Sequence, residues 1–145
     1  MTDIGFTHVA LFCRDVDKTA AFYKKYARMT EVHRRTDAAT GHRVVWLSDT
    51  LRPFVAVFIE ADTITPVLGP FAHLGVGCAN RAEVDDLCAQ AEAEGVLAKA
   101  PEDSGPPIGY WAMIKDPDGH MLELSHGQEI AFAVTDSALS HFGTR

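Results

Sequence analysis

Residues 6–13 and 71–78 are short runs rich in Val, Leu and Phe and bounded by polar residues, the pattern of a buried strand. Each run gives way to a helical period. In the first case Asp15 can cap, and Val16, Ala20, Tyr23 and Ala27 recur on one face. In the second, Asn80 and Glu83 have the spacing of a capping box, Val84, Leu87, Cys88 and Ala91 form the stripe, and Gly95 supplies a stop. Three further strands are predicted after each helix, near 30–35, 43–48 and 53–60 and again near 96–100, 109–115 and 120–125. Asp116-Pro117-Asp118-Gly119 reads as a turn, since Pro presets φ and Gly accepts a positive φ, so the last two strands should form a hairpin.

The two halves repeat. A shift of 65 places Phe6-Thr7-His8-Val9-Ala10-Leu11-Phe12-Cys13 over Phe71-Ala72-His73-Leu74-Gly75-Val76-Gly77-Cys78, matching Phe, His and Cys, and carries Trp46 onto Trp111. A unit seen only twice is a duplicated module, because a solenoid needs about three or more repeats to bury a continuous core. The expected fold is therefore α+β: two βαβββ modules with pseudo-two-fold symmetry, with helices on the outer faces of mixed sheets. Module one runs from about 4 to 65, Pro66, Gly69 and Pro70 separate the halves, module two runs from about 70 to 127, and 128–145 is a C-terminal tail of the same single domain.

Composition narrows the function classes. With 145 residues, 47% hydrophobic and 23% charged, the chain is ordinary for one domain with a packed core. It has no apolar run near the ~20 residues that cross a bilayer and no basic, apolar leader at its start, which points to a cytoplasmic protein with no membrane partner. A formal net charge of -7 and 13 dispersed Lys and Arg residues argue against nucleic acid. Cys13, Cys78 and Cys88 fall in strand, strand and helix patterns and read as reduced, buried thiols.

Alternation along a strand puts His8 on the face of Ala10 and Phe12, and His73 on the face of Gly75 and Gly77. Small neighbours leave room for a metal and a ligand. Glu123 shares its face with Met121 and Ser125 between Leu122 and Leu124, where a carboxylate is costly to bury without a partner such as a metal. Two imidazoles and a carboxylate suit Fe(II), Mn(II), Zn(II) or Ni(II) and leave coordination positions open for a small-molecule substrate. His42 sits in a polar turn, while His120 and His126 lie on the face opposite Glu123 and so do not share its metal. Trp46, Trp111 and Tyr110 suit either a substrate cavity or the core, and the Pro- and acid-rich 101–107 segment reads as a loop that could close over a site.

Phe6-Thr7-His8-Val9-Ala10-Leu11, Phe71-Ala72-His73-Leu74-Gly75-Val76 and Asp116-Pro117-Asp118-Gly119-His120-Met121-Leu122-Glu123 together resemble the vicinal oxygen chelate superfamily, over nearly the whole chain. Its members include glyoxalase I, extradiol dioxygenases, methylmalonyl-CoA epimerase, fosfomycin-resistance proteins and bleomycin-binding proteins. The resemblance implies curved sheets forming a metal-binding cup, with ligands from the first and last strand of each module, and so assigns the metal to His8, His73 and Glu123. A fourth ligand would come from the last strand of module one. Aligning the turns puts Ala56 there and the strict shift puts Phe58, neither able to bind metal, while Glu60 could enter by a register slip. An empty fourth place resembles the extradiol dioxygenases and the fosfomycin-resistance proteins, and the separations 73 − 8 = 65 and 123 − 73 = 50 suit the former, favouring Fe(II) and oxygen chemistry on a vicinal-oxygen substrate.

The dioxygenase signature is incomplete, with Met113 where a Tyr is expected and no His in Asp103-Ser104-Gly105-Pro106-Pro107; Tyr110 could replace the Tyr through a shifted strand and, with Glu123, take a catalytic role. The alternatives are a glyoxalase-I-like lyase or isomerase and a metal-free drug-binding protein of the bleomycin-resistance kind. The resemblance also implies a homodimer.

Overall fold

In the computed structural model residues 3–142 are described, 141 and 142 by their backbone alone. The order is β1(His8–Cys13), α1(Val16–Ala27), β2(Thr30–Thr36), β3(Arg43–Ser48), β4(Val55–Glu60), then β5(Leu74–Gly77), α2(Arg81–Ala93), β6(Leu97–Asp103), β7(Tyr110–Lys115), β8(Met121–His126) and α3(Ile130–Phe142). The two βαβββ modules are thus present, and the C-terminal tail contains a helix. The first sheet has the order β1-β4-β3-β2 and the second the order β5-β8-β7-β6, the same topology twice. In each, the first strand runs parallel to the last, which is why a helix must cross over between them.

The chain divides into two compact units: Met1–His73 with Lys115–Met121, and Leu74–Ile114 with Leu122–Arg145. In the first, Asp15 caps α1 by accepting the N–H groups of Asp17 and Lys18. The stripe of α1 buries Val16, Tyr23 and Ala27 as expected, together with Phe22 and Tyr26. Tyr23 lies against Phe58 of β4, ring centroids 4.8 Å apart, so α1 packs on the face of the sheet that carries Phe58. In the second unit the Asn80 side chain accepts from Glu83 N at 2.8 Å, and the Glu83 carboxylate returns to Ala79 N at 2.6 Å. This is a capping box displaced outward by one residue.

The turn at 116–119 forms as read. Gly119 N donates to Asp116 O, Gly119 has φ +90°, and Asp116 N donates to His120 O, leaving β7 and β8 adjacent. At the other end of this hairpin a side chain on Gly109, φ +83°, would stand 2.6 Å from His126 O and 2.8 Å from Gly127 C. Both ends therefore share one register, which sets Tyr110 opposite His126 and Met113 opposite Glu123. Cys13 and Cys88 are buried, Cys78 is half-buried, and none of the three forms a disulfide among the described residues. Among the described residues no helix is long and apolar enough to cross a membrane.

Candidate metal-binding faces

Strand register decides which side chains share a face, because residues paired across a sheet point the same way. Phe58, and with it Ala56 and Glu60, faces α1. The opposite face of the first sheet is then built from the residues between. It carries His8, Ala10 and Phe12 of β1, Val55, Val57 and Ile59 of β4, Val44, Trp46 and Ser48 of β3, and His33 and Arg35 of β2. His8 is exposed there, and its Nδ1 lies 2.9 Å from Thr7 Oγ1.

The same register corrects the reading of the fourth ligand position. Ala10 pairs with Val57 in the first unit and Gly75 pairs with Glu123 in the second. Since the repeat carries Ala10 onto Gly75, Val57 occupies the place equivalent to Glu123, not Ala56 or Phe58. A single-residue change of register reverses every side chain, which is what separates the two assignments. Glu60 lies on the α1 side and is fully engaged. Its Oε1 accepts from Arg43 N and Nε, and its Oε2 accepts from Val16 N and Arg43 Nη2. The guanidinium holds the Glu60 carboxyl below the usual carboxylate range. A slip that made it a ligand would break all four bonds.

In the first unit His73 is exposed, with Nδ1 2.5 Å from Phe71 O. In the second unit Glu123 is 7% exposed and its Oε1 accepts from Gln128 Nε2 at 2.6 Å. A Cβ on Gly75 would come 3.9 Å from that same Oε1, so the small residue keeps space beside the carboxylate. The donor types fit a metal site: an imidazole that ligates usually has its other nitrogen hydrogen-bonded to an oxygen, as Nδ1 of both His8 and His73 is here, and a ligating carboxylate is itself hydrogen-bonded. Among the described residues no three His, Cys, Asp or Glu side chains are gathered so as to hold a metal ion. The three candidates are divided between the units, His8 and His73 in the first and Glu123 in the second.

Tyr110 faces the other way from Glu123. Its hydroxyl donates to Asp85 Oδ1 of α2, and the Arg81 guanidinium stands 4.7 Å over its ring. Hydrogen bonding to Asp85 raises its phenol above the ordinary value. Trp111 and Met113 instead share the face of Glu123, and Lys99 Nζ sits 4.2 Å over the Trp111 ring. His120 is fully buried in the first unit, its Nδ1 accepting from Leu68 N and its Nε2 bonded to Phe12 O. His126 Nδ1 is bonded to Cys78 O. Both are structural, as their strand parity implies. Sequence reasoning missed His33, Arg35 and Lys99, which β2 and β6 bring onto these faces, and Gln128, which holds Glu123.

A family model described as the Glyoxalase/Bleomycin resistance protein/Dioxygenase superfamily matches residues 5–124. A Pseudomonas aeruginosa relative described as uncharacterized protein PA2024 is 35% identical over 127 residues, 86% of this chain and 89% of its own. Among solved structures, the Listeria monocytogenes fosfomycin resistance protein FosX is similar with a TM-score of 0.68 at 21% identity, covering 88% of this chain and 96% of its own. The trypanothione-dependent glyoxalase I of Leishmania major has a TM-score of 0.69 at 19% identity, covering 99% and 100%. At such identities the structural likeness speaks for the fold. The match over residues 5–124, on two repeated βαβββ modules, identifies the chain as a member of the glyoxalase/bleomycin resistance protein/dioxygenase superfamily.

Proposed function

We propose that the protein is a divalent-metal-dependent enzyme acting on a small molecule with two neighbouring oxygens, and that His8, His73 and Glu123 supply the protein ligands. The observation that carries this reading is Val57 at the position equivalent to Glu123. A three-ligand set leaves coordination positions for a chelating substrate, whereas a fourth carboxylate would fill one. When bound, the metal supplies Lewis-acid stabilisation of negative charge developing on the substrate oxygens. Gln128 holds the Glu123 carboxylate in place, Gly75 keeps the adjacent space open, and Trp46 and Trp111 give each face an apolar wall. A FosX structure contains Mn(II) and a dihydroxypropylphosphonic acid, which supports a divalent metal with a vicinal-oxygen ligand in this superfamily.

Tyr110 weighs on the choice of reaction. Its engagement by α2, on the side away from Glu123, counts against this phenol as the acid–base group for ring cleavage. We therefore favour metal-assisted addition, lyase or isomerase chemistry over oxygen-dependent ring opening, and Mn(II), Zn(II) or Ni(II) alongside Fe(II). Exposed apolar side chains, Phe6 at 94% and Phe71 at 89%, support a homodimer, since association would cover them.

The test is the metal content of the purified protein, expected to be near one per chain and to fall below a tenth of that in His8→Ala and in His73→Ala, with the fold retained by circular dichroism. Full metal content in both variants would remove the assignment. Oxygen consumption with a catechol would restore ring cleavage as the leading reaction.

A further inference from the structure

Charge is divided unequally between the two faces of the first sheet. The sheet's carboxylates, Glu31 and Glu60, share the α1 side with Arg34 and Arg43, and these pair with one another and with Asp15 and Asp17. The opposite face, which carries His8, presents His33 and Arg35 and no carboxylate among its strand residues. In a chain of formal net charge -7 this is a local reversal.

Arg35 is exposed and makes no ion pair among the described residues; its charge still acts on the carboxylate of Asp37, the nearest acid along the chain, whose Oδ1 accepts from Ala39 N and Thr40 N of the following turn. Trp46, one row in, has a buried indole N–H with no acceptor among the described residues. His33 lies tilted against that same indole, ring centroids 4.7 Å apart and planes at 55°. Ala10, Val57, Trp46 and His33 form one continuous row across the four strands, with Phe12, Ile59, Val44 and Arg35 beside it. An apolar floor thus ends in an aromatic pair and a guanidinium. That arrangement suits a molecule with an apolar body and an oxyanion head, the head meeting the fork of Arg35.

We infer that this face recognises the anionic group of the substrate, a carboxylate or a phosphonate, through Arg35 and the His33–Trp46 pair. The inference rests on the proposed reading that the His8 face is the ligand face, and it names the substrate class for it. Arg35 is a specificity residue here and performs no chemistry.

The chain has two tryptophans, so a Trp111→Phe background leaves Trp46 as the sole indole reporter beside His33. Fluorescence titrations with phenylphosphonate, benzoate and neutral benzamide then share one apolar body and differ in the head group. At least one anion is expected to quench saturably and benzamide not to, and the tighter anion identifies the head. Arg35→Ala should weaken that binding by about tenfold or more, as loss of a charge-assisted hydrogen bond implies. Lys24→Ala, the same charge change on the exposed side of α1, should stay within twofold. Failure of both anions to bind, equal binding of benzamide, an unaffected Arg35→Ala or an equal loss in Lys24→Ala would each overturn the inference. Metal content measured on the same samples separates the two proposals. Bound metal without anion binding sinks this inference alone; anion binding in a protein that takes no metal leaves it standing and sinks the metal reading.

Discussion

At the scale of single residues, the position of Val57 is the most exposed point of the account. If register puts it on the His8 face, Val57→Glu adds a carboxylate equivalent to Glu123, and added Zn(II) should raise the melting temperature of this variant more than that of the wild type. Phe58→Glu makes the opposite prediction. That carboxylate would enter the contact with Tyr23 under α1, where an unpaired charge costs several kcal/mol, and the protein should not fold with or without metal. A soluble, metal-stabilised Phe58→Glu would reverse the two faces. Asp116 offers a second test. It is 4% exposed, and its Oδ2 accepts from the Tyr23 hydroxyl at 3.0 Å while Oδ1 accepts from Asp118 N and His120 N. Burial pushes its carboxyl above the usual range despite these donors. Between the ordinary aspartate value and its folded value the native state then holds the proton more than the unfolded chain does. Its contribution to stability is complete at low pH and is lost as pH rises through the folded value. The stability of the wild type relative to Asp116→Asn should therefore fall as pH rises above the ordinary aspartate range, as read in urea titrations. Glu60, held below the usual range by Arg43, works in the other sense, with stability present at neutral pH and lost as acid protonates it. A wild type that gains on Asp116→Asn as pH rises would contradict the burial argument.

At the scale of elements, local signals carried most of the fold. The Asp15 and Asn80 caps and the Asp116-Pro117-Asp118-Gly119 turn each name a structure on their own, and each formed; the apolar runs at 6–13 and 71–78 gave strands only over His8–Cys13 and Leu74–Gly77, which are part-exposed rather than buried and leave Phe6, Phe71 and His73 outside them. What the sequence could not give was the count of residues between elements in space. The repeat keeps a spacing of 65 from β1 to β5, yet Val57 and Glu123 differ by 66, because the connections before β4 and β8 are unequal. One residue is enough to turn Ala56 or Phe58 outward in the reading and inward in the molecule. The chemistry of β2 was hidden for the same reason, since His33 and Arg35 acquire a face only through β3 and β4. The C-terminal helix also lay in what read as a tail: Ile130–Phe142 holds no Lys or Arg and only Asp136 as an acid, so its pattern lacks a polar face. Two substitutions test the elements directly. Asn80→Ala should cost about 1 kcal/mol by removing the cap of α2. Gly109→Ala should cost about 2 kcal/mol or more, from the positive φ and the approach to His126 O, while Gly77→Ala, with open space around it, should be nearly neutral. Equal costs at the two glycines would deny the hairpin register that separates Tyr110 from Glu123.

At the scale of the whole molecule, the duplication sets what the protein can do. Each βαβββ unit supplies a sheet with one face covered by its helix and one face turned away from it, and each brings a Trp and an imidazole or carboxylate to that second face. The proposed homodimer should appear as a single species of twice the chain mass in sedimentation at micromolar concentration, and a monomer there would count against it. The central claim is the ligand set, and the measurement that meets it most directly is X-ray absorption on the Zn(II)-loaded protein. Two imidazole nitrogens at about 2.0–2.1 Å with additional oxygen scatterers and no sulfur are expected, reduced to one imidazole in His8→Ala. A sulfur shell near 2.3 Å, or two imidazoles that persist in His8→Ala, would place the metal elsewhere and contradict the account.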